Sequence, residues 1–532
     1  MKHDQRLDED RPAGEPALAL LQRVVDVKPH ELGLLAWSCV YFFCLLASYF
    51  VLRPLREAVG IESGVDNLPY LWTGTLLGMA IANPIFSWLV SRYPRRTFIP
   101  WVHRFFAANL LLFFLALLAT SETEHPTRFL AIGRTFYVWL SVFNLFVVSV
   151  FWGFMADVFR LDQGKRLFGF IGVGGTLGAI FGSWFTGAFV KSEWLGGARI
   201  LLVSVLMLEL SVQCFRRILA RSSDREPRDA RREPAAREQA RNSAADGGSI
   251  PRERTSVFSG MALVFRMPYL REIGLYTVFY TLSSAFIYFE QASIVADTIK
   301  SADKQVQQGL RTALFAHIDL YVNCLTLLMQ LFATGRIVMW LGVTFTLVAL
   351  PLLTAVGFTV LGMRAYFATL SNGVAHAFEW MFGVEPQIHA AASATTDVAL
   401  TVDARLALGL WVVVIFQMLY RSLNQGTAKP ARETLYTVVS RDVKYKSKSF
   451  IDTFIYRAGD NTGAWCFKAL HDPAWLGIGL PAIAFGMVPL GLLWLATGLV
   501  LGRKQMELAR AQEASVAPSA ATAPALARET VG

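Results

Sequence analysis

The residues with the clearest capacity for chemistry lie in one charged stretch, Arg421 to Trp465, between two apolar segments. It reads RSLNQGTAKPARETLYTVVSRDVKYKSKSFIDTFIYRAGDNTGAW. A charged side chain at the centre of a bilayer costs roughly 2.5–3.5 kcal/mol on insertion scales, so such residues usually face a protein interior or a watery cavity. The candidate side chains are Lys429, Arg432, Glu433, Asp452, Arg457 and Asp460. This concentration of charge predicts a site for a polar or charged solute.

A second pair of cations occurs early in the chain. Tyr49–Glu57 reads YFVLRPLRE, and its Arg53 and Arg56 are three residues apart, so they share a face if the stretch is helical. Two guanidinium groups on one face suit a phosphate or a carboxylate. The alternative is that both side chains reach out to the membrane interface while their stems stay in the apolar layer.

Two acidic residues stand alone inside apolar segments. Glu290 follows Phe289, and Asp319 lies in the segment after it. An ionisable residue within a membrane segment is a functional candidate by default. We predict that Glu290 pairs with a cation, binds a proton or contacts the substrate, and that Asp319 acts in gating or proton coupling; a structural salt bridge is the alternative for Glu290.

The elements that position these residues are predicted from composition and length. The chain has 532 residues, of which 54% are hydrophobic and 17% charged. Its apolar residues form blocks close to the ~20 residues that cross a bilayer as a helix. We predict an all-α membrane protein with twelve transmembrane helices in two six-helix repeats. The predicted spans are 33–54, 68–90, 97–119, 130–157, 166–190, 198–214, 269–296, 309–334, 338–363, 406–426, 449–470 and 474–502.

The predicted organisation separates two bundles by a polar break that cannot bury enough apolar surface to fold. It comprises a cytoplasmic N-terminal segment (1–30), an N-terminal six-helix bundle (31–215), a disordered basic linker (216–256), a C-terminal six-helix bundle (257–503) with an extracytoplasmic insertion (366–405), and a C-terminal tail (504–532). The first 30 residues lack a signal-peptide pattern. The five cysteines show no metal-ligand spacing and are predicted to be small buried hydrophobes.

The distribution of loop charge predicts the orientation. Lysines and arginines concentrate in the even-numbered loops and in the central linker, which holds eleven arginines. By the positive-inside rule, both termini are then cytoplasmic in a multi-pass protein of the cytoplasmic (inner) membrane. Topology therefore explains the net charge of +10, and we predict the lipid bilayer, not nucleic acid, as the partner of this charge.

Glycines in the fifth segment repeat at every fourth position. Gly174, Gly178 and Gly182 have the spacing that lets helices approach closely, so we predict a helix-packing role. They do not form a dinucleotide fingerprint, and the chain has no phosphate-binding GxxxxGK[ST] motif. We predict no cofactor, no metal site and no enzymatic activity. The segments KRLFGFIGVGGTLGAIFG and KSFIDTFIYRAGDNTGAW echo each other, as expected of two parallel repeats with a substrate site between them.

Several of these stretches resemble the ATP/ADP antiporter family, a branch of the major facilitator superfamily. YFVLRPLRE resembles the family's Tyr-x-x-Leu-Arg-x-x-Lys-Asp, and FWGFMADVF followed by GKRLFGFIG resembles its Phe-Trp-Gly-Phe run and following basic pair, which places Lys165 and Arg166. Glu290 falls where the family has a glutamate. Lys429, Arg432 and Glu433, then KYKSKSFID and Arg457, resemble its second-half motif. The resemblance implies a major facilitator-like fold and nucleotide exchange.

The chain departs from the family pattern at two positions, and one further motif matches only in degraded form. Ile294 and Asp460 stand where the family tends to have lysines, which should weaken binding of a highly charged nucleotide. The loop Ser91–Phe98 resembles the superfamily's cytoplasmic gate motif in degraded form. Its candidate gating residues are Arg92, Arg95 and Arg96, for which orientation by positive charge is the alternative.

We therefore predict a secondary active transporter of a small anionic substrate, ATP and ADP included. Arg53, Arg56, Lys165, Arg166, Glu290, Lys429, Arg432, Asp452 and Arg457 are its predicted substrate-binding residues, and Arg92, Arg95, Arg96, Asp319, Glu433 and Asp460 its gating or coupling residues. Two alternatives stay open: a proton-coupled transporter of another organic anion or lipid-like solute, and a non-transporting scaffold or sensor.

Overall fold

The computed structural model describes residues 27–28, 31–120, 125–159, 161–223, 257–301, 303–330, 334–363 and 404–516. These ranges are helices joined by short turns. The helices are α1 (Leu32–Glu62), α2 (Leu68–Arg92), α3 (Arg95–Ala119), α4 (Pro126–Val158), α5 (Leu161–Phe189), α6 (Ile200–Ser223), α7 (Val257–Arg266), α8 (Pro268–Thr298), α9 (Lys304–Leu328), α10 (Thr334–Met363), α11 (Ala404–Leu423), α12 (Lys429–Thr434), α13 (Arg441–Phe450), α14 (Tyr456–His471) and α15 (Leu480–Val516).

The helices group into two compact units. Unit 1 comprises Met1–Val59, Leu77–Pro251 and Gln308–Leu320, and unit 2 comprises Gly60–Leu76, Arg252–Gln307 and Tyr321–Gly532. The units do not coincide with the predicted bundles 31–215 and 257–503, because each unit also takes a short segment from the other half of the sequence. The prediction of two repeats stays a prediction.

In unit 1, the glycine stripe of α5 packs against the backbone of α1. A Cβ atom on Gly174 would lie 2.7 Å from the Cys39 carbonyl oxygen, and one on Gly178 would lie 2.2 Å from the Phe43 carbonyl oxygen. Any side chain at these positions would collide with the neighbouring helix. The predicted packing role of the glycines is therefore confirmed.

The interior of unit 1 is rich in aromatic side chains from α1, α4 and α6. Phe42 and Phe151 stack with ring centroids 4.2 Å apart, and Phe151 meets Tyr41 edge to face at 5.2 Å. Tyr41 and Phe151 are fully buried. Aromatic pairs in such geometries add to the free energy of area burial, so these contacts fix α1 and α4 against each other.

In unit 2, Trp494 of α15 packs against α8. Its side chain is fully buried, and its ring contacts Tyr276 and Tyr280 of α8 at centroid distances of 5.4 and 6.0 Å. Five-residue π-helical turns interrupt the regular helix at Asn424–Ala428 and Ile451–Ile455. Such turns insert an extra residue into the helix and are frequent at functional sites, and here both lie inside the charged stretch 421–465.

A helix of the described residues overlaps each of the twelve predicted spans, but several boundaries differ. α1 continues beyond residue 54 because Ala58 and Ile61 are buried in the fold. α6 continues to Ser223, into the predicted linker, because Ile218 is buried and the Arg217 guanidinium covers the Trp37 ring at 5.2 Å. The predicted span 449–470 is split by the second π-helical turn.

Seven of the described helices are long and apolar enough to cross a membrane on their own. They are Leu32–Glu62, Arg95–Ala119, Pro126–Val158, Arg166–Phe189, Gly197–Arg221, Gly342–Met363 and Leu480–Gln512. The chain is thus a multi-pass membrane protein, and its described residues form helices and the turns between them. Residues 224–256 of the predicted linker and residues 366–403 of the predicted insertion lie outside the described part of the chain.

Candidate functional site

The two arginines of the first predicted site lie on one continuous helix in unit 1. α1 passes through Pro54 without ending, so Arg53 and Arg56 occupy neighbouring positions on its surface. The Arg56 guanidinium covers the Tyr137 ring at 4.1 Å, and its Nη1 lies 3.4 Å from Glu57 Oε1. The Arg56 side chain is 17% exposed, so the aromatic contact replaces much of the water it would have at the surface.

Arg53 forms a largely buried ion pair within unit 1. Its Nη1 donates to Asp319 Oδ1 at 2.7 Å, and the side chains are 20% and 3% exposed. Asp319 is 266 residues away in sequence, on the part of α9 that belongs to unit 1. A buried carboxylate at this distance neutralises most of the arginine's charge, so a substrate anion at Arg53 would compete with Asp319.

Arg166, near the start of α5, forms an ion pair with Glu31, which precedes α1. Its Nη2 lies 3.2 Å from Glu31 Oε1, which also accepts a hydrogen bond of 2.8 Å from Gln163. The Lys28 backbone N–H donates to Glu31 Oε2 at 3.1 Å. Glu31 is 1% exposed. The Lys165 side chain lies outside the described part of the chain, so only Arg166 of this predicted pair has a defined environment.

The environment of Glu31 predicts a pH dependence of stability. Burial raises the pKa of Glu31, but the Lys28 and Gln163 hydrogen bonds and the Arg166 charge outweigh burial and bring the pKa below its ordinary value. A carboxyl with a depressed pKa contributes stability above its unfolded pKa and loses that contribution as the pH falls through its folded pKa. Glu31→Gln should therefore lower the free energy of unfolding by about 1–2 kcal/mol at pH 7.

Thermal unfolding in detergent over a pH series measures this effect. The gap in melting temperature between wild type and Glu31→Gln should stay constant from pH 7 down to about 4.5 and should narrow only below that, as the pH falls through the lowered pKa of Glu31. Glu193→Gln, which alters an exposed carboxylate of the same unit, is the matched control and should show no gap. A gap that stays constant down to low pH would contradict the assignment.

The predicted gate loop makes a defined contact through one of its three arginines. Arg95, at the start of α3, forms an ion pair with Asp157 near the end of α4 and donates to the Gly153 carbonyl oxygen at 2.5 Å. Arg92 and Arg96 are exposed. Asp157 was not among the residues predicted from the sequence, although it lies within the FWGFMADVF run that carries the family resemblance.

Arg432 occupies an aromatic and neutral environment in unit 2. Its guanidinium covers the Tyr280 ring at 4.4 Å, and its Nη2 donates to Asn424 Oδ1 at 3.3 Å. Asn424 Nδ2 in turn donates to the Tyr280 hydroxyl at 2.9 Å. The Tyr456 hydroxyl lies 3.5 Å from the same hydroxyl. The side chain of Arg432 is thus fixed by groups that carry no charge.

Sequence reasoning missed Tyr280, Asn424 and Tyr456. The only local signal is the position of Asn424 three residues after Arg421, in the charged stretch. Tyr280 lies on α8, ten residues before Glu290, and nothing in its sequence context distinguishes it from a core tyrosine. The structure brings it to Arg432 because α8 packs against the neighbouring α11 and α14 within unit 2.

The remaining predicted residues occupy varied positions in unit 2. Glu290 is fully buried on α8. The Lys448 ammonium forms an ion pair with Glu433 and donates to its Oε2 at 2.6 Å. Lys429 and Asp452 are exposed, whereas Arg457 and Asp460 are half-buried on α14. The Glu433–Lys448 pair joins α12 to α13 and fits the predicted gating role of Glu433, which stays a prediction.

A polar cluster joins α14 to the segment 60–76, which belongs to unit 2. Trp465 Nε1 donates to Thr73 Oγ1 at 3.1 Å, and Thr73 donates to Asn461 Oδ1 at 3.0 Å. The Lys468 ammonium donates to the Asp66 carbonyl oxygen at 2.8 Å and lies 5.0 Å from the centre of the Tyr70 ring. These contacts hold the α1–α2 connection on α14.

Comparisons with known proteins show which proteins this chain resembles in sequence. No protein-family model matches the chain. The chain is 20% identical to "ADP,ATP carrier protein 1" of Chlamydia pneumoniae, covering 96% of this chain and 98% of that protein. It is 28% identical to the "Plastidic ATP/ADP-transporter" of Solanum tuberosum, but the matched stretch spans only about a quarter of that protein, 26% of its length.

Solved structures agree on the fold. The xylose transporter XylE from E. coli superposes with a TM-score of 0.52 at 11% identity, covering 88% of this chain and 95% of that one. The POT family transporter PepTSo gives a TM-score of 0.52 at 12% identity, covering 89% and 98%. The predicted resemblance and the major facilitator-like helical fold are thereby confirmed. All these relatives are named as transporters or carriers, which agrees with the prediction of a non-enzyme.

Proposed function

We propose, from the premise that this chain resembles the ATP/ADP antiporters and has a major facilitator-like fold, that it is a secondary active transporter of an anionic solute. Nucleotides are the substrate class that its carrier relatives support. In this proposal twelve helices span the cytoplasmic (inner) membrane in two repeats, and both termini are cytoplasmic. Alternating access exposes the bound solute to one side of the membrane at a time.

The observation that carries the proposal is the presence of partly buried guanidinium groups inside both helical units. Arg53 and Arg56 are 20% and 17% exposed in unit 1, and Arg432 is half-buried in unit 2. Burying a cation is expensive unless it is compensated. A membrane protein that keeps such groups within its helices has a use for positive potential, and an anionic substrate is the simplest one.

Two substitutions relative to the family limit how much negative charge the site should hold. Ile294, where the family tends to have a lysine, is buried on α8. Asp460, at the other family lysine position, is half-buried on α14, one helical turn from Arg457. The replacement of two cations by an apolar group and an anion favours a less charged member of the substrate class, so we propose that ADP binds more tightly than ATP.

Thermal stabilisation of the purified protein tests the proposal. A ligand that binds only the folded protein raises its apparent melting temperature in proportion to the logarithm of its concentration over Kd. ADP, ATP, sugar phosphates, other organic anions and lipids form the panel, and Arg457→Ala is the site variant. Stabilisation by ADP that is lost in the variant supports the proposal; stabilisation by a lipid or a neutral sugar, with none by any anion, would contradict it.

A further inference from the structure

The cations of the described residues differ in how their charge is compensated. Arg53, Arg166 and Lys448 each contact a carboxylate, at 2.7, 3.2 and 2.6 Å respectively. Arg432 makes no such ion pair with any carboxylate in the part of the chain that the structure describes; its contacts are the Tyr280 ring and the Asn424 amide oxygen. Asp452 acts on the Arg432 charge only from a longer distance, without an ion-pair contact, so no carboxylate of the described residues touches the guanidinium directly.

The groups around Arg432 are themselves rigid. Tyr280 is 4% exposed and lies parallel to Tyr420, with an interplanar angle of 5° and ring centroids 6.3 Å apart. The Tyr420 hydroxyl donates to the Tyr280 carbonyl oxygen at 3.3 Å, and Trp494 packs against the Tyr280 ring. Because the Tyr280 ring is packed on several sides, its position is fixed, and the guanidinium that lies over it is held in place.

Both polar atoms of the Asn424 side-chain amide help to hold Arg432 over Tyr280. The oxygen accepts from Arg432, and the nitrogen donates to the Tyr280 hydroxyl. Aspartate has nearly the same shape but would place a full negative charge 3.3 Å from the guanidinium. In a partly dehydrated environment such a charge would compete strongly with any external anion.

Asn424 also lies at the first position of a π-helical turn, which ends immediately before Lys429. The inserted residue changes the register of the helix, so the side chains on either side of the turn point in directions that a regular helix would not give them. The turn thus lets Asn424, eight residues before Arg432, reach its guanidinium.

We infer that Asn424 and Tyr280 are positioning residues that keep Arg432 as the charged receptor for the anionic group of the substrate. This inference rests on the proposed function and names the residues that set its specificity. The aromatic face of Tyr280 stabilises the cation by a cation–π contact, and Asn424 fixes its rotation. Neither Tyr280 nor Asn424 neutralises the charge of Arg432, whereas Asp319 neutralises that of Arg53.

Asn424→Asp gives the sharpest test, because it changes charge with little change in shape. The variant should fold with an unchanged or higher melting temperature, since it converts a neutral contact into an ion pair. Its affinity for ADP, and for inorganic pyrophosphate as a probe without a base, should fall about 30-fold or more, because the new carboxylate competes for the guanidinium. A purely structural role for Asn424 would leave both affinities near wild type.

Tyr280 supplies a second, independent comparison. Tyr280→Phe keeps the ring over Arg432 and should weaken ADP binding by no more than about 3-fold. Tyr280→Leu removes the ring and should weaken it about 10-fold or more. Equal affinities of the two variants would overturn the inference, even if Asn424→Asp failed to fold.

The outcomes also separate this inference from the proposed function. Wild-type protein that binds none of the anions of the panel, pyrophosphate included, would overturn the proposed function and the inference with it. Wild-type protein that binds both, together with an Asn424→Asp variant that binds them equally well, would leave the proposed function standing and overturn the inference alone.

Discussion

Replacing Arg432 by alanine is expected to lower the affinity for ADP about 100-fold and to abolish transport at micromolar substrate. Removing one member of a buried charge–charge contact costs about 2–5 kcal/mol, and 100-fold corresponds to about 2.7 kcal/mol. Arg432 should show a large effect because its guanidinium contacts the Tyr280 ring and the Asn424 amide oxygen and no carboxylate of the described residues, with Asp452 acting on it only from a longer distance. Calorimetric titration with ADP in detergent measures the change.

Two further variants separate charge from folding. Arg432→Lys keeps the charge but loses the planar group that lies over Tyr280, so its affinity should fall between those of wild type and alanine. Arg271→Ala removes an exposed arginine of α8 in the same unit and should bind ADP as the wild type does. An Arg432→Ala variant that melts normally and still binds ADP with wild-type affinity would show that this cation is not the receptor.

A single methyl group on Gly178 is expected to disrupt unit 1. Its Cβ atom would lie 2.2 Å from the Phe43 carbonyl oxygen and 2.9 Å from the Phe43 Cα. Because these are backbone atoms, no side-chain rotation can relieve the overlap, and α5 must move away from α1. Overpacking of this kind typically costs about 1–3 kcal/mol and occasionally more, and here we expect a loss of monodisperse protein as well as a lower melting temperature.

Gly169→Ala is the matched control, on the same helix. A Cβ atom on Gly169 would meet nothing within 4 Å, so the substitution tests helix propensity without steric overlap. Its melting temperature should equal or exceed that of wild type, since alanine favours the helix over glycine by about 1 kcal/mol. Size-exclusion chromatography and thermal unfolding of the two variants give the comparison; equal behaviour would refute the close approach of α1 and α5.

Local patterns were enough to predict some of this architecture. The spacing of Gly174, Gly178 and Gly182 specifies a helix face without side chains, and only close packing uses such a face. The apolar blocks predicted the helices, because length and hydropathy decide whether a segment can cross a bilayer. The end of α1 was misjudged, because the pattern near Pro54 resembles a membrane boundary while tertiary burial of Ala58 and Ile61 extends the helix.

The partners of the charged residues could not be predicted in the same way. Arg53 was identified from its spacing to Arg56, but its partner Asp319 lies 266 residues away, and no local pattern connects them. Tyr280 and Asn424 are ordinary residues in sequence and gain their role only from where α8 and the π-helical turn meet. Long-range pairing is a property of the fold, so the sequence identified cations without showing which of them are neutralised.

Uptake of labelled ADP into proteoliposomes is the measurement that tests the central claim most directly. Vesicles preloaded with unlabelled ADP are compared with empty vesicles and with vesicles under an imposed pH gradient, and Arg432→Ala protein is run in parallel. The account predicts uptake that depends on internal ADP, is unaffected by the pH gradient and is absent in the variant. Equal uptake into empty and preloaded vesicles, or uptake driven by the pH gradient alone, would contradict nucleotide exchange.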